Sequence, residues 1–494
     1  MLTRLHELIK DKKILILGFG REGRSTLNRI LEVGDAASIT IADGNEALTL
    51  PAAMEITTLS GDKKSVFTEG ISLLTGIHYM DSLDDYDIVF KSPGVVLPKA
   101  ADDYPCLITS QTEVFFEVYR EQIIGITGTK GKSTTSTLLY YILRESGMDT
   151  VLAGNIGIPF FDILEQITPA SRIVCELSCH QLEYIHVSPH IAILLNIHEE
   201  HLDHYGTMEK YVRAKEHIFL NQTPEDVLIC SVQCLPEPGE CVSRLITAKS
   251  SFPEPPLERF WKTEGNLADR KKREEAPVLY VEEKDGVTSI CYEGRRYKIP
   301  TGQIRLLGQH NYFDIGMAYA VCSLLGMAEE TFTEGLKEYE PLPHRLQFLG
   351  EIQGVKYYDD SISTICETAI QALKTLKDTD TILIGGMDRG IDYRELIEYL
   401  SQSQVPHIIL MEATGKRIFE EIAADYPDFE NPSRLLLAEH LKDAVCLAKK
   451  VTRPGRSCVM SPAAASYGIF RNFEERGEEF KRLVLENEQQ DTVF

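Results

Sequence analysis

The stretch from residue 123 to residue 134 combines residue types that together could hold a phosphate group. Its first residues are apolar and predict a β-strand, the turn at residues 128–131 is rich in glycine, and a helical pattern follows. Glycines let backbone N–H groups approach phosphate oxygens, and a helix N-terminus adds a partial positive charge. Lys132 would reach the terminal phosphate oxygens, and the hydroxyl group of Ser133 would bind Mg²⁺.

This stretch departs from the strict phosphate-loop pattern at one position. Ile126 stands where the first glycine of G-x-x-x-x-G-K-[ST] is required, so the remaining signature is the shorter G-T-x-G-K-S-T. The predicted strand before the turn and the predicted helix after it nevertheless favour a nucleoside triphosphate site over an ordinary glycine turn.

A second glycine-rich turn lies near the N-terminus. Residues 18–23 follow the apolar residues 14–17 and precede a helical pattern, and Asp43 ends the next predicted strand. A glycine turn, a helix and a later acidic residue form the dinucleotide-binding fingerprint, which by itself suggests NAD. The competing interpretation is a Rossmann-like domain that holds another nucleotide at the same helix end. Residues 89–94 predict a later strand that runs into a ligand-facing turn.

Several polar residues directly follow apolar segments in the middle of the chain. Glu176 follows residues 173–175, Asn196 follows residues 193–195, and histidine and glutamate residues then crowd positions 198–201. Parallel α/β sheets place their ligands at the carboxyl ends of the strands. Carboxylate and imidazole groups near a phosphate loop favour bound Mg²⁺ together with a histidine that orients the substrate.

The elements that must position these residues alternate between strands and helices. At 494 residues the chain exceeds one comfortable core, so about three domains are expected. We predict an α/β fold with a Rossmann-like domain over residues 1–108, a central P-loop-type ATPase domain over 109–341 and a C-terminal Rossmann-like domain over 342–494. Residues 231–276 are rich in proline and charge and predict a surface excursion, whereas residues 280–300 alternate like strands of a small β-layer.

Composition excludes several classes of partner. The net charge is −24, from 51 basic and 75 acidic residues, which disfavours nucleic acid and anionic membranes as main partners. No apolar run approaches a membrane span, and the N-terminus lacks the apolar core of an export signal. The 11 cysteines, an odd number at irregular positions, predict free thiols in a reducing cytosol. We therefore expect a cytoplasmic protein with neither a nucleic-acid partner nor membrane insertion.

A set of short motifs, taken in chain order, resembles those of the Mur ligases. The motifs are Gly128-Thr129-Lys130-Gly131-Lys132-Ser133-Thr134, Gly154-Asn155-Ile156-Gly157, Glu176-Leu177-Ser178, Asn196 with His201 and Asp203, Ala214-Lys215, Gly308-Gln309-His310-Asn311, Pro343-His344-Arg345, Asp360-Ser361 and Ser461-Pro462-Ala463-Ala464-Ala465-Ser466. The ordered set is far more specific than any single motif, and it spans nearly the whole chain. It argues against NAD as the ligand of the front domain.

The resemblance implies an ATP-dependent acid–amino-acid ligase of peptidoglycan precursor synthesis. In this family ATP phosphorylates the terminal carboxylate of the substrate, and the amine of the incoming amino acid then displaces phosphate from the acyl phosphate. The implied substrates are UDP-N-acetylmuramoyl-L-alanine and D-glutamate, and the implied state is a monomer. L-glutamate stays open, because Ile362 replaces a lysine common in glutamate-adding relatives and the S-I-S-T version occurs in a branch that includes L-glutamate ligases.

The resemblance also implies roles for individual residues. The catalytic set is Lys132, Glu176, His201 and Lys215. Two Mg²⁺ ions would be held by Ser133, Glu176, His201 and Lys215, the last as a carbamate formed with CO₂, although its helical surroundings alone predict a solvated lysine. ATP would be bound by Gly128, Thr129, Lys130, Gly131, Lys132, Ser133, Thr134, Asn311, Arg345 and Asp360. The precursor and glutamate would be bound by Gly20, Arg21, Glu22, Gly23, Ser92, Pro93, Gly94, Asn155, Ser178, Gln181, Thr364, Arg389, Ser466 and Phe473.

Two other functions are weighed against this one. A folylpolyglutamate synthase-like member of the same superfamily is disfavoured by the glycine-rich front domain and the S-P-G turn at residues 92–94. A catalytically idle partner subunit that only binds nucleotide is disfavoured by the complete catalytic set, because a pure binding module has no need for a carbamate lysine.

Overall fold

The computed structural model describes residues 1–156, 158–252, 277–426, 429 and 432–486. The chain forms two compact units. The first comprises Met1–Ile304 and His310–Tyr339, and the second comprises Arg305–Gln309 and Glu340–Phe494. The predicted α/β class is confirmed, while the domain boundaries predicted at residues 108 and 341 stay predictions.

The first unit opens with a five-stranded parallel sheet in the order β5-β2-β1-β6-β7. Its strands are β1 (Lys13–Leu17), β2 (Ser38–Asp43), β5 (Ile71–Thr75), β6 (Ile88–Lys91) and β7 (Leu107–Thr109), and β3 (Ala53–Thr57) and β4 (Lys63–Phe67) form a separate antiparallel hairpin. The central strand β1 is buried from Ile14 to Leu17, as a parallel strand covered on both faces must be. The glycine-rich turn after β1 leads directly into the helix Arg21–Val33, as predicted.

The first unit continues with a nine-stranded sheet in the order β16-β15-β14-β13-β12-β11-β8-β10-β9. Its strands are β8 (Ile123–Thr127), β9 (Thr150–Gly154), β10 (Arg172–Glu176), β11 (Ile191–Leu194), β12 (Val227–Ser231), β13 (Arg244–Ser250), β14 (Leu279–Lys284), β15 (Val287–Tyr292) and β16 (Arg295–Lys298). The strand before the phosphate loop, β8, pairs in parallel with β10 and β11. The carboxyl ends of these three strands therefore lie side by side.

The prediction of a surface excursion over residues 231–276 is wrong for residues 231–235, where Ser231, Cys234 and Leu235 are buried, and for residues 244–250. Residues 244–250 form β13, which pairs in parallel with β12 and β14 and buries Ile246 and Ala248. No local pattern indicates this strand, because its apolar stretch is short and lies between proline-rich segments. Its stability therefore comes from pairing with the neighbouring strands. Residues 253–276 lie outside the described part of the chain. The β-layer predicted over residues 280–300 is confirmed as the antiparallel strands β14 to β16.

One hydrophobic cluster joins the two sheets of the first unit. It includes Ile16 of the front sheet, Phe115 of a connecting helix, Ile173 of β10, and Phe160. The rings of Phe115 and Phe160 stack with centroids 4.8 Å apart. The two sheets of the first unit therefore share one hydrophobic core. The α-helices up to residue 338 are Leu2–Ile9, Arg21–Val33, Gln111–Tyr119, Lys132–Glu145, Cys179–Leu182, Leu202–Tyr205, Met208–Leu220, Gln309–Leu324 and Glu329–Glu338.

The second unit contains a six-stranded sheet in the order β17-β18-β22-β19-β20-β21, parallel except for β17. The strands are β17 (Gln347–Ile352), β18 (Val355–Asp359), β19 (Thr379–Gly385), β20 (His407–Met411), β21 (Leu435–Ala438) and β22 (Ser457–Met460), and the α-helices are Cys366–Thr375, Arg394–Gln402, Glu412–Asp425, Leu441–Val451 and Phe473–Leu485. The predicted α/β alternation is confirmed in this unit.

Two further expectations concern the whole chain. All 11 cysteines are free thiols, as predicted. Among the helices of the described residues, none combines the length and the apolar character that crossing a bilayer requires.

Candidate active site

The phosphate loop has a backbone that requires glycine. Gly131 caps the helix Lys132–Glu145 with a φ of +83°, in the left-handed region. A Cβ atom at this position would lie 2.6 Å from Oδ1 of Asp314. The loop is therefore closed by one residue that no side chain can replace without moving a buried carboxylate.

Two lysine side chains converge on this loop. Nζ of Lys132 donates to the carbonyl oxygen of Gly128 at 2.9 Å, and Nζ of Lys215 donates to the same oxygen at 2.8 Å. Lys215 is fully buried, although its sequence surroundings predicted a solvated side chain. Burial, followed by the neighbouring Lys132 cation, lowers the pKa of Lys215 to about 7, and burial also lowers the pKa of Lys132. Burial therefore disfavours the charged form of both amines, and an anion bound at the loop would favour the charged form of Lys132.

Glu176 offers an open oxygen beside the loop. It ends β10 in register with Ile126 of β8, and its side chain is buried. Oε1 accepts a hydrogen bond of 2.6 Å from Nδ2 of Asn155, whereas the buried Oε2 has no hydrogen-bond partner among the described residues. A buried carboxylate oxygen without a partner is costly unless a ligand fills the position. This oxygen fits a divalent cation.

His201 lies in the turn that follows β11. Its φ of +57° places it in the left-handed region, where it caps the short helix Leu202–Tyr205. Its ring contacts His180, with centroids 4.9 Å apart, and Tyr211, with centroids 6.1 Å apart. Burial and then His180 lower the pKa of His201, so the imidazole is neutral near pH 7, the form that binds metals.

Asn196, which belongs to the motif set, and Tyr211, which sequence reasoning missed, hold the loop in place. Asn196 accepts from the backbone N–H of Lys130 at 2.8 Å and donates to the Lys130 carbonyl at 3.2 Å. The hydroxyl of Tyr211 lies 3.0 Å from Oγ1 of Thr129, and its ring lies under Nζ of Lys215 at 4.9 Å. Tyr211 precedes Lys215 by four residues on one helix, so helical spacing could have indicated that the two side chains share a face.

The front-domain candidates form one wall of a cleft. Gly23 must be glycine, because a Cβ atom there would lie 2.1 Å from the carbonyl oxygen of Gly18. Oγ of Ser92 donates to the same carbonyl at 2.8 Å and ties the S-P-G turn to the glycine turn. Asp43, the acidic residue of the fingerprint, accepts from the backbone N–H of Phe19 at 2.7 Å.

A cavity of about 100 Å³ separates this wall from the central sheet. Its lining unites predicted substrate-binding residues from both sides, namely Arg21, Glu22, Pro93, Asn155, Ser178 and Gln181, together with Gly154 and Pro159. These residues are far apart in the sequence, and without the fold only the resemblance to the Mur ligases groups them together. The structure brings them together.

Within the second unit, the predicted ATP-binding residue Asp360 is hydrogen-bonded to Leu346, the residue that follows Arg345. The buried carboxylate of Asp360 accepts from the backbone N–H of Leu346 at 3.0 Å and from Oγ of Ser461 at 2.7 Å. Burial raises the pKa of Asp360 to about 6. The buried Nε of Arg345 has no hydrogen-bond partner among the described residues, so the guanidinium is suited to an anionic ligand. Asn311, the remaining candidate, is buried on the helix Gln309–Leu324 of the first unit.

Of the predicted glutamate-binding residues, Thr364, Arg389 and Ser466 lie on loops of the second unit, and Phe473 is the first residue of the helix Phe473–Leu485. Nη2 of Arg389 donates to the carbonyl of Thr364 at 3.0 Å. The backbone N–H of Met387 donates at 2.8 Å to the carbonyl of Ala465, the residue before Ser466. The ring of Phe473 meets His344 edge-on, with centroids 6.2 Å apart.

Arg476 is a structural residue that sequence reasoning missed. It is fully buried, and its Nη2 donates to the carbonyls of Ser361 at 2.9 Å and Ala464 at 3.0 Å. It thereby joins the turn next to Asp360 to the loop next to Ser466. Its spacing of three residues after Phe473 and four before Phe480 on one helix was the available signal.

His344 provides a pH-dependent contribution to stability. Its Nδ1 lies 2.7 Å from Oδ2 of Asp359, and this hydrogen bond raises the pKa of His344. The stabilisation is therefore fully present below the unfolded-state pKa of about 6.5 and is lost as the pH rises through the folded-state pKa. His344→Gln should cost more free energy of unfolding at pH 5.5 than at pH 8.5, measured by urea denaturation. The exposed His78→Gln variant is the control, and a difference that does not change with pH would contradict the assignment.

The loop geometry predicts that two glycine-to-alanine substitutions lower stability equally but affect activity differently. Gly131→Ala and Gly147→Ala place alanine at φ values of +83° and +86° before and after the same helix, but only the first meets another atom within 4 Å. Both variants should lose about 1–2 kcal/mol of stability from the left-handed backbone. Only Gly131→Ala should also lose nucleotide turnover, measured as phosphate release. Equal activity in the two variants would contradict a steric effect of the Cβ atom at residue 131.

The sequence is similar to those of known ligases. A profile of the Mur ligase middle domain matches residues 126–322. The UDP-N-acetylmuramoylalanine–D-glutamate ligase of Symbiobacterium thermophilum is 33% identical over 425 residues, 84% of this chain and 87% of the relative. The protein of the same name from Pelotomaculum thermopropionicum is 30% identical over 487 residues, 97% of this chain and 99% of the relative.

Solved structures show similarity of fold. The MurF ligase from Thermotoga maritima in complex with ADP aligns with a TM-score of 0.53 at 15% identity, covering 97% of this chain and 96% of that chain. The UDP-N-acetylmuramate–alanine ligase MurC from the same organism aligns with a TM-score of 0.54 at 17% identity, covering 95% and 98%.

Proposed function

The chain belongs to the Mur ligase family, and we propose that it joins D-glutamate to UDP-N-acetylmuramoyl-L-alanine while ATP is converted to ADP and phosphate. The observation that supports this most directly is the convergence of Lys132 and Lys215 on the Gly128 carbonyl. The open oxygen of Glu176 and the cleft between the front and central sheets add a cation position and a substrate position.

The proposed chemistry is a problem of charge. A carboxylate of the precursor must attack the γ-phosphate, and both groups are anionic. Lys132 and the backbone N–H groups of the loop lower this repulsion by facing the transferring phosphoryl group. The new acyl phosphate loses phosphate when the amine of glutamate attacks the carbonyl carbon, which forms the amide and releases the amine proton.

Divalent cations are part of the proposal. Ser133, Glu176 and His201 would hold two Mg²⁺ ions, which neutralise phosphate charge when bound. We propose that Lys215 is carbamylated by CO₂ and supplies anionic oxygens to this site. Its burial supports the modification, because a neutral amine is the form that reacts with CO₂ and burial favours that form.

Residues of the second unit complete the assignment. Arg345 and Asp360, with Asn311 of the first unit, are proposed to bind ATP, and Thr364, Arg389, Ser466 and Phe473 are proposed to bind glutamate. We further propose that residues 1–108 bind the nucleotide sugar, 109–341 bind ATP and 342–494 bind glutamate. The enzyme is proposed to act as a cytoplasmic monomer without nucleic-acid or membrane partners, in keeping with its net charge of −24 and its free thiols.

The most specific part of the proposal is that the incoming amino acid is D-glutamate. The relatives' names support D-glutamate, while Ile362 is the one residue that favours L-glutamate. The test is phosphate release with ATP, Mg²⁺ and UDP-N-acetylmuramoyl-L-alanine, with D- and L-glutamate offered separately and products identified by mass spectrometry. A product with D-glutamate only is expected. A product with L-glutamate only would transfer the assignment to that enantiomer, and no phosphate release with either would reject the ligase proposal.

A further inference from the structure

Glu22 has one carboxylate oxygen that the protein does not use. Its Oε1 accepts a hydrogen bond of 2.8 Å from Nε2 of Gln181. Its Oε2 is buried and has no hydrogen-bond partner among the described residues. A buried acceptor left open in this way requires an explanation, and a ligand donor is one.

The orientation of this pair is well determined by its neighbours. Oε1 of Gln181 accepts from the backbone N–H of Ser178 at 3.1 Å and from its hydroxyl at 3.3 Å. The amide nitrogen of Gln181 must therefore point to Glu22, because only the oxygen can accept from Ser178. Glu22 is thus held in place by one oxygen while the other remains available.

Glu22 also lines the cavity between the front and central sheets. Arg21 and Pro93 lie on its side of the cavity, and Asn155, which holds Glu176, lies on the opposite side. The cavity has a volume of about 100 Å³, several times the roughly 10–15 Å³ of such space that one water molecule needs. It can accommodate a group of a substrate that runs from the front turn towards Glu176.

The charge of Glu22 limits which group this is. The diphosphate of a nucleotide sugar is anionic and has only acceptor atoms, so an ionised carboxylate repels it. The uridine carries donors of its own, the ribose hydroxyls and the N3–H of uracil. The remaining donors of the proposed precursor are the hydroxyls of its amino sugar, the N–H of its acetamido group and the N–H of its alanyl amide, and these lie beyond the diphosphate as seen from the uridine. Asn155 lines the same cavity and donates to Glu176, which favours this second set.

We propose that Glu22 is a specificity-determining residue whose free oxygen accepts a hydrogen bond from an O–H or N–H donor of the sugar–alanyl part of the precursor. This inference rests on the proposed function and adds to it the chemical group that Glu22 selects. A nucleotide diphosphate without the matching donor leaves the buried oxygen unpaired and binds less well.

The test measures affinity along a series of ligands of increasing length. Isothermal titration calorimetry with UDP, UDP-N-acetylglucosamine, UDP-N-acetylmuramate and UDP-N-acetylmuramoyl-L-alanine compares the unchanged protein with Glu22→Gln. Glutamine keeps the size of the side chain but lacks the second acceptor oxygen. The exposed Glu69→Gln variant of the front domain is the matched control.

We expect Glu22→Gln to bind UDP as well as the unchanged protein does, or better, because a negative charge is removed. Affinity should fall by about 10- to 100-fold from the first ligand that carries the donor onwards, as expected for loss of a hydrogen bond to a charged group. Glu69→Gln should bind every ligand as the unchanged protein does. The ligand at which the loss begins identifies the donor.

Three outcomes would overturn the inference. A loss that is already complete with UDP would place Glu22 at the uridine diphosphate. No loss with any ligand would mean that water fills the position, or that a protonated Glu22 donates to phosphate as glutamine also can. A loss seen only with added Mg²⁺ would make Glu22 a cation ligand.

A second variant separates folding from recognition. Glu22→Asp keeps the charge and withdraws the oxygens by one methylene, so it should lose affinity for the same ligands as Glu22→Gln. Loss for UDP as well would again contradict the inference. Failure of the unchanged protein to bind UDP-N-acetylmuramoyl-L-alanine would count against the proposed function, whereas binding without any Glu22 dependence would count against this inference alone.

Discussion

Lys132→Ala is expected to lower kcat for phosphate release by at least about 100- to 1,000-fold, the usual loss when one group that stabilises a transition-state charge is removed. Nζ of Lys132 donates only to the carbonyls of Gly128 and Thr129, each at 2.9 Å, among the hydrogen bonds of the described residues. In the described part of the chain no carboxylate forms an ion pair with it, so its charge is available to an incoming phosphoryl group. Phosphate release under saturating substrates is the measurement.

The same variant should not destabilise the fold. Burial lowers the pKa of Lys132, which means that the fold already disfavours this cation. The melting temperature of the Lys132→Ala variant should stay the same or rise, while the variant loses activity. Arg144→Ala, an exposed cation on the same helix whose guanidinium contacts Tyr140, is the control and should keep its activity. Turnover in Lys132→Ala close to that of the unchanged protein would contradict the ATP assignment.

Lys215→Ala is expected to be nearly inactive and to regain part of its activity with acetate or formate. The physical reason is that an ammonium group repels Mg²⁺, whereas a carbamate, or a small carboxylate that enters the vacated space, offers anionic oxygens. Phosphate release is measured against carboxylate concentration. Lys210→Ala, an exposed lysine on the same helix, should be active and should not respond to carboxylates.

Dependence on CO₂ makes this test specific for the carbamate. Removing bicarbonate should lower the activity of the unchanged protein, while the rescued Lys215→Ala variant should be insensitive to it. Full activity of Lys215→Ala, or a variant that no carboxylate restores, would reject the carbamate. A structural role for Lys215 would lower the melting temperature of the variant without any response to bicarbonate.

Some elements of this fold follow from local sequence. The strand Ile123–Thr127 is an unbroken apolar run, the glycines after it permit a left-handed turn, and the apolar positions of Lys132–Glu145 recur at helical spacing. Each signal lies within a few residues of the element that it predicts. The same holds for the front turn before Arg21–Val33, and the structure confirms both elements.

Other elements depend on partners that are distant in the chain. The strand Arg244–Ser250 carries charges at its ends and has few apolar residues, so its stability comes from pairing with β12 and β14. The helix Phe473–Leu485 buries Phe480 and Leu483, and it also buries Arg476. A buried arginine is favourable only where carbonyl oxygens are placed to receive it, and those carbonyls belong to residues 361 and 464.

Local signals were sufficient to predict the α/β class, the phosphate loop and the groups that could do chemistry, because glycine turns, apolar periodicity and residue types act within a few residues. Where those groups meet depends on the three-dimensional fold. Lys215 would be a solvated helix lysine by its own surroundings, and folding instead buries it against the carbonyl of Gly128 beside Lys132. Glu22 and Gln181 become partners in the same way. Desolvation and hydrogen bonding between distant residues depend on three-dimensional distance, which no local pattern encodes.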